Sequence, residues 1–329
     1  MQIREKLSMI FKISSVFLVA LLFILSGCSK EMEEETGKLK IVTSIFPPYD
    51  FVRAVTKEEA NIKMLLKPGA DSHSFDPTPK DIADIEKSDI FVYVGGESWV
   101  PAILRGLNTD KVKIIRLMDY VDVVKEEIID GMQKDEEEHD GHEHDHNHNH
   151  DDEAEADEHI WTSPNNVKKI IQMLEKEIGK RDYKNAENYN KNVASYIVEL
   201  EELDKNFKEI VKKSSRKELI FADRFPFRYF VDEYDLKYMA AFPGCSNETE
   251  ASSKTIAYLI DKVKEKKIPV VFYIETSNQK MADTIVEATN AKKLEFHSAH
   301  IISATDFKNG ITYIDIMKNN LKNLKEALK

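Results

Sequence analysis

Histidine is distributed unevenly along this chain of 329 residues. Six of its ten histidines lie within twelve residues, among acidic side chains and asparagines. Neutral imidazole is a good ligand for zinc, copper and nickel, and the alternating spacing lets neighbouring rings chelate one cation. A flexible tract does not fix a coordination geometry, so we expect auxiliary metal capture here and the tight site elsewhere. The six are His139, His142, His144, His146, His148 and His150.

The other four histidines are His73, His159, His297 and His300. The first three each follow a predicted strand or loop end, which is where ligands bind in open α/β sheets. They come from both halves of the chain, so we predict that His73, His159 and His297 meet in one metal pocket. His300, three residues beyond His297, is predicted to be a surface residue.

The elements that must position these side chains follow an alternating pattern from Leu39 onward. Short β-branched runs are followed by amphipathic stretches, which predicts β–α units and parallel sheet. The predicted fold class is α/β, with two doubly wound parallel-sheet lobes at 38–180 and 217–329. Between them, apolar side chains spaced by three and four predict one long rigid helix within 181–216.

The N-terminus has the pattern of an export signal. Ile13 to Leu25 is almost wholly apolar and is shorter than the roughly 20 residues that a membrane span needs. Leu25-Ser26-Gly27-Cys28 then resembles the lipobox of bacterial lipoproteins. We therefore expect a signal peptide at 1–27, acylation of Cys28, a tether at 28–37, and a lipid-anchored protein on the outer face of the cell membrane.

The net charge of −12 argues against a nucleic-acid partner, which requires a basic surface. Much of this charge lies in residues 134–158, where acidic residues and histidines leave almost no apolar surface. We predict a disordered surface loop there. Beyond Cys28 the sequence contains one further cysteine, Cys245, so an intramolecular disulfide between exported residues is excluded.

The order of the motifs resembles the zinc/manganese solute-binding proteins of metal ABC transporters, the group often called cluster A-I. The resemblance extends from about residue 39 to 328. A stretch at Asp223–Tyr229, with Ala241–Ser246, looks like a clostridial-type subfamily of these proteins. The motifs that carry the family resemblance are Ile45–Phe51, Pro68–His73, Pro77–Pro79, Asp157–Pro164 and Gly310–Leu321.

The resemblance implies four metal ligands between the lobes. His73 and His159 match the first and second, and His297 falls at the fourth position. Arg224 falls at the third, where a guanidinium offers only donors and does not bind a cation.

A carboxylate at a strand end, Asp223 or Glu275, is therefore the candidate remaining ligand, and Arg224 is expected to pair with one of them. Three nitrogens and one carboxylate favour Zn²⁺, with Mn²⁺ as the alternative. Cys245 is a further soft candidate, although packing in the core is the expected role of a free cysteine.

The sequence thus predicts a monomeric binding protein that captures a divalent cation and delivers it to the membrane permease of an ABC importer. It contains no Gly-x-Ser-x-Gly motif and no phosphate-cradling loop, so no catalysis is expected. Two alternatives remain: a cell-surface zinc hydrolase with Glu275 as general base, and a metal-binding adhesin.

Overall fold

The structure is a computed structural model that describes residues 37–107, 111–133, 156–244, 246 and 250–329. The predicted signal peptide, Cys28, the histidine-rich tract and Cys245 lie outside these described residues. Leu39 to Lys329 belong to one compact unit. Within the described part of the chain, no helix combines the length and the apolar character needed to cross a membrane.

The first lobe contains a four-stranded parallel sheet in the order β2-β1-β3-β4. The central strand β3 is a continuous buried apolar run, and β1 is buried from Ile41 to Thr43, as expected of parallel strands covered on both faces. The elements are β1 (Leu39–Thr43), α1 (Phe46–Thr56), β2 (Ala60–Met64), α2 (Pro79–Glu86), β3 (Ile90–Tyr93), α3 (Val100–Gly106) and β4 (Lys113–Arg116).

The second lobe repeats this arrangement, with a parallel sheet in the order β6-β5-β7-β8. The α/β class with two parallel sheets is therefore confirmed. The elements are β5 (Glu218–Phe225), α6 (Arg228–Glu233), β6 (Lys237–Pro243), α7 (Ser253–Lys266), β7 (Val270–Tyr273), α8 (Lys280–Glu287), β8 (Lys292–Glu295), α9 (Ala304–Lys308) and α10 (Tyr313–Ala327).

Two helices lie between the sheets in sequence, α4 (Pro164–Arg181) and α5 (Ala186–Lys213). The 28 residues of α5 form the predicted long helix. It packs against α1 of the first lobe and α10 of the second, so it contacts both halves of the molecule. Its apolar face is buried through Tyr189, Val193, Tyr196, Leu200, Leu203, Phe207 and Val211.

Helix caps fix the ends of two loops that carry histidines. Thr78 accepts a hydrogen bond from the backbone N–H of Asp81 at the start of α2, with Pro79 as the first helical residue. Ser163 accepts a hydrogen bond from the N–H of Asn166 in the same way at the start of α4. Such caps stabilise a helix start by about 1 kcal/mol each and determine where the preceding loop ends.

Candidate metal centre

Three loops converge where the two lobes meet. His73 lies between β2 and α2, and His159 directly precedes a short 3₁₀ turn at Ile160–Thr162. His300 lies between β8 and α9 in the second lobe. Because strands of a parallel sheet present their carboxyl ends at one edge, the loops after β2 and β8 both reach the junction of the lobes.

Hydrogen bonds across the junction hold these loops together. The backbone N–H of Gly69 donates to the carbonyl of Ile302 at 2.8 Å. The indole N–H of Trp161 donates to the carbonyl of Ser298 at 2.7 Å, and both groups are buried. Each bond links a loop of the first lobe to the loop that follows β8, so the histidines are positioned by contacts from both sides.

His73, His159 and His300 surround one small pocket. The ring centroids of His300 and His73 are 5.5 Å apart, and those of His300 and His159 are 5.3 Å apart. The pocket measures about 20 Å³, which is room for one water-sized species. The arrangement therefore suits a single ion better than an organic molecule.

Neighbouring groups orient two of the imidazoles. Nδ1 of His159 lies 2.9 Å from Oδ1 of Asp157, which favours the proton on Nδ1 and leaves the lone pair on Nε2. Nε2 of His300 lies 2.6 Å from the Ser72 hydroxyl. When that nitrogen donates to Ser72, Nδ1 of His300 is the nitrogen available to a cation.

The protonation of the three rings differs. Burial lowers the pKa of His73, and it lowers the pKa of His300 well below its ordinary value; Arg224 contributes in the same direction to both. For His159, burial lowers the pKa, but the carboxylates of Asp157, Glu158 and Glu126 together outweigh this and the net shift is upward. His73 and His300 are therefore held in the neutral form that binds metal.

Glu158 is a further candidate ligand that the sequence did not reveal. One carboxylate oxygen of Glu158 and one nitrogen from each of His73 and His300 lie within 4.8 Å of one another. This group differs from the pocket lining, which includes His159 but not Glu158. The two sets share His73 and His300, so we take them as overlapping parts of one centre.

The loop boundary at this point was also wrong. Residues 157 and 158 were predicted to belong to the disordered surface loop, but Asp157 and Glu158 are only 1% and 4% exposed. The backbone of Ala156 pairs with Lys125, and Tyr229 Oη donates to the carbonyl of Asp157. The continuous acidic composition concealed the end of the loop; the apolar Ile160–Trp161 that follows was the available signal.

His297 does not line the pocket among the described residues, whereas His300 does. The backbone N–H and C=O of His297 both bond to the buried side chain of Asn320 in α10. Nδ1 of His297 accepts the N–H of Ala299 at 2.9 Å. Ala299 has a left-handed backbone (φ 61°) that turns the chain, and His300, buried rather than exposed, points to the pocket.

The two candidate carboxylates have other partners. The Glu275 carboxylate lines the pocket but accepts hydrogen bonds from the Ser298 N–H at 2.8 Å, the Ser298 hydroxyl at 2.6 Å and the Ile301 N–H at 3.3 Å. Asp223 accepts from the backbone N–H of Arg224 at 2.9 Å and lines a neighbouring pocket. Both carboxylates therefore stabilise backbone turns around the site.

Arg224 lies in the pocket wall, as its alignment with a ligand position implied. Its guanidinium donates to the carbonyl of Ser246 and to the hydroxyl of Thr276, each at 3.2 Å. Among the described contacts these neutral acceptors, rather than the expected carboxylate of Asp223 or Glu275, are its hydrogen-bond partners. The side chain closes one side of the pocket with a positive charge.

Two parallel α/β lobes joined by a long helix, with imidazoles from both lobes around an ion-sized pocket, define a two-lobe solute-binding protein with a metal-type site. The chain belongs to the family described as zinc-uptake complex component A, periplasmic (ZnuA), whose family model matches residues 41–327. The family resemblance found in the sequence is thereby confirmed.

Individual relatives agree with this membership. The chain is 33% identical over 325 residues to the high-affinity zinc uptake system protein ZnuA of Bacillus subtilis (strain 168), covering 96% of this chain and 98% of that protein. It is 31% identical to the zinc-binding lipoprotein AdcA of Streptococcus pneumoniae (strain ATCC BAA-255 / R6), covering 96% of this chain and 61% of AdcA. The crystal structure of the Zn(II)-bound ZnuA-like domain of Streptococcus pneumoniae AdcA superposes with a TM-score of 0.72 at 28% identity. The match covers 89% of this chain and 99% of that domain's chain.

Proposed function

We propose that this protein captures Zn²⁺ between its two lobes and delivers it to the permease of an ABC importer. The observation that carries the proposal is the meeting of His73, His159 and His300 around a pocket with room for one ion. Membership in a zinc-uptake family, and relatives named for zinc uptake and zinc binding, support Zn²⁺ as the cargo.

Nitrogen ligands also support zinc over manganese. Imidazole suits Zn²⁺, whereas Mn²⁺ prefers sites dominated by oxygen ligands. Three imidazoles from loops of both lobes make metal binding sensitive to how the lobes meet, which gives the permease a means to release the ion. The cross-junction bonds from Gly69 and Trp161 limit this movement to a modest one.

We propose further that the protein acts outside the cytoplasm, anchored through acylated Cys28. The apolar segment followed by Leu25-Ser26-Gly27-Cys28 supports this, and a relative is named a zinc-binding lipoprotein. The six-histidine tract at 139–150 would raise the local concentration of metal near the site, since its two flanks, Gln133 and Ala156, are held by contacts to Ala241 and Lys125.

The hydrogen bonds of Glu275, the general base that a zinc hydrolase would use here, weaken the hydrolase alternative. The Glu275 carboxylate accepts three hydrogen bonds, two from Ser298 and one from Ile301, and it stabilises this turn. The adhesin alternative concerns the outer surface and remains a prediction from the sequence.

The proposal is tested by calorimetry with Zn²⁺ and Mn²⁺ on three proteins: wild type, His73→Ala, and a variant with all six tract histidines replaced by asparagine. We expect the tract variant to keep one tight zinc site at a lower total stoichiometry, because the tract is auxiliary. His73→Ala should lose the tight site. Loss of all tight binding in the tract variant would refute the interlobe site.

A further inference from the structure

Resting on the proposed zinc capture, we propose that Glu158 is the charged ligand that completes the coordination of the ion held by His73, His159 and His300. This carboxylate differs from both candidates that the sequence offered, Asp223 and Glu275. It supplies the oxygen of a three-nitrogen, one-oxygen tetrahedral site, while Arg224 occupies the wall without binding the cation.

The first support is distance. Oε1 of Glu158 lies 3.9 Å from Nε2 of His73, and an oxygen of Glu158 lies within 4.8 Å of a nitrogen of His300. Ligands about 2.1 Å from a zinc ion are about 3.4 Å apart at the tetrahedral angle. Contraction by about 0.5 Å toward His73 and by up to about 1.4 Å toward His300, within the reach of side-chain adjustment, would bring these atoms around one ion.

The second support is the placement of the carboxylate in the interior. Glu158 is 4% exposed, and the basic groups that face it are the imidazoles of His73 and His159. The carboxylates of Glu97 and Asp157 lie near enough to repel it. Burying a carboxylate among such neighbours is costly, and a bound divalent cation would offset this cost directly.

The third support is that the backbone makes space for this side chain. Gly96 packs directly against Glu158: a Cβ added to Gly96 would overlap the side chain, with the carboxyl carbon only 2.9 Å away. Glycine at position 96 thus admits Glu158 to the centre.

The fourth support is that the competing carboxylates are held by other groups. Glu275 fixes the turn at Ser298, and Asp223 faces Ser277 and the neighbouring pocket. Glu158 also directly precedes His159, so one short segment would deliver two ligands from the same lobe. The site would then hold three ligands from the first lobe, with His300 from the second.

The experiment compares Glu158→Gln with wild type and with Glu187→Gln, at an exposed carboxylate paired with Lys191, as a matched control. Zinc affinity is measured by competition with a chromophoric chelator, and Co²⁺ is used as a spectroscopic probe of tetrahedral coordination. We expect Glu158→Gln to weaken zinc binding by about 100-fold or more and to change the visible Co²⁺ spectrum. Glu187→Gln should stay within about threefold of wild type.

The possible failures are distinguishable. If wild type binds no zinc tightly, the proposed function itself is wrong. If wild type binds tightly and Glu158→Gln binds equally well, only the role of Glu158 is refuted. Should Glu158→Gln fail to fold, a crystal structure of zinc-bound wild type decides: an oxygen of Glu158 within about 2.2 Å of the metal supports the inference, and a separation beyond 3 Å overturns it.

Discussion

Oδ1 of Asp157 lies 2.9 Å from Nδ1 of His159 and also accepts the backbone N–H of His159 at 2.8 Å. Both residues are 1% exposed. One carboxylate oxygen therefore fixes the ring orientation and the proton position of His159, a proposed metal ligand. Partners of this kind raise the basicity of the ligand and are expected to contribute to metal affinity without contacting the metal.

Replacing Asp157 by asparagine keeps the size of this partner and removes its charge. We expect Asp157→Asn to weaken zinc binding by about 10- to 100-fold while one tight site per chain remains. Chelator competition measures the affinity. Asp119→Asn, at an exposed carboxylate paired with Arg116, is the matched control and should bind zinc like wild type. Equal affinity in both variants would show that the Asp157 contact only stabilises the loop.

Gly96 offers a steric test of the same centre. A Cβ at this position would collide with the Glu158 side chain. We expect Gly96→Ala to displace Glu158 and to weaken zinc binding by about 10-fold or more. Gly106→Ala is the control, because nothing lies within 4 Å of the Cβ there. Zinc titration of both variants measures the affinity, and circular dichroism confirms that they fold. Unchanged zinc affinity in Gly96→Ala would show that the position of Glu158 does not matter for zinc binding.

The architecture was predictable because its signals are local. The periodicities of β1 and α5, and the Thr78 cap of α2, lie within single segments of sequence. His73 and His159 were identified from their positions beside such elements. Their approach to a common pocket follows from parallel-sheet geometry, in which loops at the carboxyl ends of the strands meet.

The sequence predictions differed from the structure where contacts between residues distant in sequence determine which side chain faces the pocket. His297 and His300 are three residues apart, and the left-handed turn at Ala299 together with the buried Asn320 determines which of them faces the pocket. Alanine carries no sequence signal for positive φ, and Asn320 lies in another element. Glu158 was hidden for a different reason: it ends an acidic run in the sequence, in which nothing distinguishes it from its neighbours.

The pH dependence of stability provides a test of the buried His300. Burial lowers its pKa well below the ordinary value. As pH falls below about 6.5, the unfolded chain binds a proton at this residue and the folded chain does not. The free energy of unfolding of the metal-free protein therefore declines by up to about 1.4 kcal/mol per pH unit. The decline ends when the pH reaches the pKa of His300 in the folded protein. We expect His300→Gln to flatten this decline. Urea unfolding of the metal-free proteins between pH 7.5 and 5.5 measures it, and parallel curves would contradict the assignment.

Asp50, in α1 of the first lobe, is hydrogen-bonded to the start of α10 in the second lobe and does not line the pocket. Its buried carboxylate accepts the backbone N–H of Tyr313 at 2.7 Å, at the start of α10, and the Arg53 Nε–H at 2.9 Å. Asp50→Ala leaves these donors without their acceptor, so we expect a loss of roughly 2 kcal/mol in the free energy of unfolding. Burial raises the pKa of Asp50 despite Arg53, so the charge itself contributes little and Asp50→Asn, which keeps an acceptor oxygen, should lose less. Urea unfolding at pH 7 ranks the three proteins; an alanine variant as stable as wild type would show that this contact does not hold the lobes together.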